Sequence, residues 1–149
     1  MAASEKTRDY YHLVLSYLKD EKEKVVSIPF NFFSWETLAN DRAETYYLID
    51  KVLHPEFDLI TIQLSENASD LKIFEEDYKD LLLHIIRMCP KVKIISIGDF
   101  WDENCDETKE SICSELNINY ISLDPIRNDS RYMAGMGILY LETMRSNIK

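Results

Sequence analysis

Four runs of the chain are apolar almost without interruption: KVVSIPF (24–30), FDLITIQL (57–64), VKIISIG (92–98) and INYISL (118–123). A strand with one wet face alternates apolar and polar residues, and these runs do not. They predict strands covered on both faces, as in a parallel sheet flanked by helices. Between the second and third, DLKIFEEDYKDLLLHIIRMC places Leu71, Phe74, Tyr78, Leu81, Leu82, Ile85 and Cys89 at helical spacing, and Pro90 stops the pattern. The unit reads as strand, crossover helix, strand. DETKESICSELN (106–117) predicts a shorter helix before the fourth strand, and SEKTRDYYHLVLSYLKD (4–20) an N-terminal helix with Tyr10, Val14, Tyr17 and Leu18 on one side. SWETLANDRAETYYLIDKVL (34–53) reads as helical in one or two pieces. SRYMAGMGILYLETMRSN (130–147) is a weak helix, because Gly135 and Gly137 interrupt it. Alternating strands and helices predict an α/β fold: three layers, αβα, with a parallel sheet and right-handed crossovers.

Length and composition bound this picture. A chain of 149 residues that is 46% hydrophobic is expected to form a single α/β domain over 1–149 with one core. A formal charge of -10 disfavours binding to phosphate backbones or anionic lipid, so no nucleic-acid and no membrane partner is expected. The three cysteines fall in no paired spacing that suggests disulfides or zinc. With no signal-like N-terminus and no membrane-length apolar run, the chain reads as soluble and cytoplasmic.

Candidate chemistry is sparse. Three glycines leave no material for a phosphate-cradling loop. KVVSIPFN ends without the acidic pair of a receiver-type phosphorylation site. His12, His54 and His84 are far apart and read as packing or surface residues, so no metal and no cofactor is expected. What remains stands at predicted strand ends, where open α/β sheets bind ligands. These are Ser65, Glu66 and Asn67 after the second strand, Asp99, Trp101, Asp102 and Glu103 after the third, and Asp124 after the fourth. All are also ordinary loop and cap residues. LITIQLSENASD poses the choice sharply: either Ser69 or Asp70 caps the next helix, or Asn67 is held at a strand end to donate a hydrogen bond to a reacting group.

FDLITIQLSENASD, followed by a long amphipathic helix, a strand and GDFWDE, resembles the middle of an SGNH hydrolase, the GDSL-like lipase/acylhydrolase family. In that family an Asn in a G-x-N motif lends its side-chain amide to the oxyanion hole. Asn67 matches that Asn, and Ser65 stands where the motif has Gly. MAASEKTRDYYHLV is similar to the segment that, in one branch, follows the nucleophile block. The resemblance implies a flavodoxin-like sheet of order 2-1-3-4-5, with the four strands here as the second to fifth and the first strand missing. It implies Asn67 as an oxyanion donor, Ser65, Glu66, Asp99 and Trp101 around the substrate, and a small-molecule ester or glycan as that substrate. It also implies an open central edge, which favours aggregation or a homo-oligomer.

The family's Ser-bearing turn and its Asp-x-x-His-Pro have no match, so the likeness is incomplete at both ends. Asp124 is followed at the third position by Arg127, and no His occurs after His84. Ester cleavage by this route needs a Ser activated by a His. The expectation is an acyl-ester hydrolase-like domain that is inactive as this chain. The alternatives are a degenerate pseudoenzyme or binding module of the same fold, and an unrelated flavodoxin-like domain.

Overall fold

The computed structural model describes residues 10–68, 70–101, 103–127 and 129. The chain divides into two compact units, Met1–Asn31 and Phe32–Lys149. In the first, helix α1 spans Tyr10–Glu21 and buries none of its residues. The Tyr11 phenol and the Ser27 hydroxyl are hydrogen-bonded at 2.6 Å.

The expected strand at 24–30 does not form; these residues have no regular secondary structure. Val26 is 78% exposed, and Ile28 and Phe30 are exposed as well. Pro29 explains much of this. It removes a ladder donor inside the run, and strand propensity without a ladder partner does not make a strand. The order with this segment as second strand is therefore corrected: the described sheet has three strands, not four.

The second unit opens with helix α2 (Phe33–Thr37), a 3₁₀ segment (Ala39–Thr45) and helix α3 (Tyr46–Ile49). The stretch expected as one or two helical pieces is three, because Leu38 and Asp41 leave helical backbone angles. Then follow β1 (Leu59–Ile62), α4 (Phe74–Met88), β2 (Lys93–Ile97), α5 (Asp106–Glu115), β3 (Asn119–Ile121) and the short α6 (Asp124–Arg127). The sheet is parallel throughout, in the order β1-β2-β3, with Ile60 opposite Ile94 and Ile95 opposite Asn119. The chain is thus α/β, a small parallel sheet with helices. Among the described residues no helix is long and apolar enough to cross a membrane. The weak helix expected at 130–147 lies outside the described residues, as do Ser69 and Asp102.

Helix α4 forms for the reasons its pattern states. Glu75, Glu76 and Asp77 occupy its first turn, where the helix dipole favours negative charge. Phe74, Tyr78, Leu81, Leu82 and Ile85 make one buried stripe, each such side chain contributing about 2 kcal/mol of burial. The Tyr78 hydroxyl meets the buried Ser96 hydroxyl of β2 at 2.8 Å, which seats α4 on the sheet. Ile62, Ile94, Ile112 and Cys113 complete the same cluster. Lys79 of α4 pairs with Glu115 of α5 at 2.5 Å, so the two crossover helices run side by side. Crossovers of one hand between strands in sequential order place them so. Trp35 closes the cluster edge-on to Phe74 and Tyr78, and the buried Arg42 lies over its ring and pairs with Asp77 at 2.6 Å.

Candidate functional site

The carboxyl ends of β1 and β2 turn toward one another. Beyond β1 the chain reaches Ser65, whose φ of 119° lies in the region that favours glycine. Ser65 is 5% exposed and every one of its polar groups is engaged. Its N–H donates to Glu36 Oε1 at 2.5 Å, and its carbonyl accepts from Ala68 N–H at 2.8 Å. Its hydroxyl donates to Asp99 Oδ2 and accepts from Lys109 Nζ at 3.0 Å. The ammonium of Lys109, fully buried on α5, also donates to Asp99 Oδ1 at 2.8 Å and to the Leu64 carbonyl at 3.2 Å, with Asp106 at 3.5 Å.

The next two residues lock the turn to its surroundings. The Glu66 carboxylate accepts the backbone N–H groups of Phe100 and Trp101, which fastens the turn after β1 to the loop after β2. Asn67 is exposed at the carboxyl end of β1, and its Nδ2 donates to Glu36 Oε2 at 3.1 Å. One carboxylate, on α2, thus holds both Ser65 and Asn67. Asp70, at φ 49°, accepts from Lys72 N–H at 3.3 Å and shapes the approach to α4. The N-cap of α4 is Ile73, which makes no side-chain cap bond, so Asp70 orders the turn ahead of the helix rather than capping it.

On the other side of Asp99 stands Arg127. Its Nε and Nη2 donate to the Asp99 carbonyl at 3.2 and 2.7 Å, and its Nη1 reaches Glu103 and Asp124, each at 2.7 Å. Asp106 accepts from Arg127 and, at 2.9 Å, from the Asp99 N–H. A cleft of about 430 Å³ opens here, lined by Glu103, Asn104, Thr108, Asp124 and Arg127 among others. Gly98 lets the strand ends close up: a Cβ there would lie 2.8 Å from the Tyr120 hydroxyl and 3.3 Å from the Leu123 N.

Electrostatics follow from this packing. Burial pushes the Asp99 carboxyl up to about 6, although Lys109 and Ser65 pull it back. Asp106 is half-buried, which pushes its carboxyl up, yet the Asp99 N–H, Arg127 and Lys109 hold it below the usual carboxylate range. Burial and then the Asp106 carboxylate raise the Tyr120 phenol. The Ser65 hydroxyl is committed to Asp99 and Lys109 and lies too deep to meet a substrate. Arg127 is a guanidinium, which stays protonated and cannot act as a base. His84 pairs with Asp50 at 2.6 Å and stacks on Tyr46, while His54 accepts from the Glu56 N–H at 3.3 Å; neither reaches the strand ends. Among the described residues no group of three or more His, Cys, Asp or Glu is placed to hold a metal ion.

Of the residues singled out by sequence, Ser65 and Asp99 are in direct contact, and Glu66 binds the Trp101 backbone, leaving the indole 46% exposed. Among the described residues Asn67 joins them through Glu36. Glu103 and Asp124 meet on Arg127. The residues that organise the cluster, Glu36, Lys109 and Arg127, were not among the candidates. Lys109 did carry a signal, since it lies four residues from both Cys105 and Cys113, on the stripe that faces inward. Comparison with models of protein families, with curated proteins and with solved structures finds no match to this chain.

Proposed function

We propose that this chain is an SGNH/GDSL-type hydrolase-like domain whose Ser65–Asn67 turn is built to hold the carbonyl oxygen of an acyl ester, on a small molecule or a glycan. The observation that carries this reading is the backbone of Ser65. Where the family motif has Gly, this chain has an L-residue at φ 119°. That conformation is held from three sides, by Glu36 on its N–H and by Asp99 and Lys109 on its hydroxyl. An amide donor two residues later, at the end of a parallel strand, is the arrangement an oxyanion hole requires. Cleavage needs more than this chain offers, because Arg127 cannot serve as the base. That substitution favours the pseudoenzyme or binding-module form of the reading.

The edge of the sheet bears on partners. Among the described residues β1 pairs only with β2, and an unpaired strand edge supports association of copies of the chain.

The test is a titration with an alkyl phosphonate ester, whose anion mimics the tetrahedral oxyanion, followed by ¹⁵N NMR. The Asn67 side-chain amide is expected to shift, and Asn67→Ala to weaken binding at least tenfold. Aryl acetate hydrolysis should stay at the level of the denatured chain. Equal binding by Asn67→Ala would refute the reading.

A further inference from the structure

The Ser65 conformation is costly for an L-residue and persists only if its surroundings over-determine it. The question is which group does so. An ammonium has three N–H donors. Those of Lys109 go to the Leu64 carbonyl at 3.2 Å, the Ser65 hydroxyl at 3.0 Å and Asp99 at 2.8 Å. Two of the three therefore go to the turn and one to the neighbouring strand end. A lysine that served only to neutralise Asp99 would not be spread in this way. If Ser65 relaxed to an extended φ, its hydroxyl would swing away, and the buried ammonium would exchange a 3.0 Å bond for the longer approach to Asp106 at 3.5 Å. That penalty opposes relaxation.

We propose that Lys109 is a positioning residue for the Ser65–Asn67 turn: its buried ammonium, bonded at once to the Leu64 carbonyl and the Ser65 hydroxyl, holds Ser65 in the positive-φ conformation that presents Asn67. The functional meaning of the clamp rests on the oxyanion-turn reading, but the clamp itself is measurable without any ligand.

Two NMR quantities report on it in the full chain. The three-bond HN–Hα coupling of Ser65 is small at its present φ and large in an extended residue, and the Asn67 side-chain amide resonances report the bond to Glu36. Lys109→Met combined with Asp99→Asn removes both buried charges together. The expected result is a large Ser65 coupling and a displaced Asn67 amide. Adding Ser65→Gly, which adopts positive φ without strain, should return the Asn67 amide to its original position. Should the double variant fail to fold, the same Ser65→Gly change should restore a folded spectrum. A Ser65 coupling and Asn67 amide unmoved by loss of Lys109 overturn the proposal, and so does failure of Ser65→Gly to restore the Asn67 amide or, where the double variant does not fold, the folded spectrum. Those outcomes leave the phosphonate titration to judge the functional reading separately.

Discussion

The pair of Lys109 and Asp99 makes a quantitative prediction. Both side chains are buried, at 0% and 1% exposure, and 2.8 Å apart. Removing one partner of a buried ion pair typically costs about 3–5 kcal/mol. Asp99→Asn keeps the shape and an acceptor oxygen, and the Leu64 carbonyl, the Ser65 hydroxyl and Asp106 still face the ammonium. That places its cost near the lower end, about 3 kcal/mol. Lys109→Met strands the Asp99 carboxylate, which can escape by taking a proton. Starting from a value of about 6, protonation at pH 7 costs about 1–2 kcal/mol. The donors lost to Leu64 and Ser65 add about 1–2 kcal/mol, so this variant too should lose about 3 kcal/mol.

Their sum would be about 6 kcal/mol, but the double variant leaves no charge stranded and should lose only about 3, a coupling of about 3 kcal/mol. Urea unfolding at pH 7, followed by circular dichroism with the slopes compared, measures all four corners of the cycle. Losses that add to within about 0.5 kcal/mol would show that the two groups are energetically independent and would refute the reasoning.

Further outcomes follow from the same cluster. Glu36→Ala removes the acceptor of the buried Ser65 N–H and of Asn67, so a loss of about 1–3 kcal/mol with Asn67 amide shifts moving to those of a solvated side chain is expected by urea titration and NMR. Gly98→Ala puts a methyl 2.8 Å from the Tyr120 hydroxyl, for an expected loss of about 1–3 kcal/mol, and adding Tyr120→Phe should recover most of it in thermal melts; no recovery would mean the clash lies elsewhere.

How far these features were readable depends on how local their causes are. Helix α4 and strands β1 to β3 follow from periodicity within one segment, so both their kind and their order in the chain were legible. KVVSIPF has the same local pattern, but Pro29 and the missing partner decide against a strand, and partnership is not written in a run of apolar residues. Ser65, Glu66, Asp99 and Trp101 could be placed at strand ends because the ends follow from the strands. Glu36 could not, since it acts on a turn 29 residues further on. Arg127 reads as a mere departure from a motif, and only its reach to the Asp99 carbonyl reveals it as a structural tie. The φ of Ser65 was hidden because Gly alone advertises such a position.

The sheet's order, β1-β2-β3, matches the order in which the strands are synthesised. Each strand that leaves the ribosome finds its neighbour already made, and no later segment has to be inserted between two earlier ones. The crossover helix emerges just ahead of each new strand, so the apolar face it must cover is never far from its cover. Assembly can therefore proceed as vectorial growth from β1 outward. Nascent chains in which a linker long enough to clear the ribosomal exit tunnel follows Ile97 should already resist limited proteolysis across α4, whereas chains with the same linker after Met88, with a single strand and no ladder, should be cut there readily.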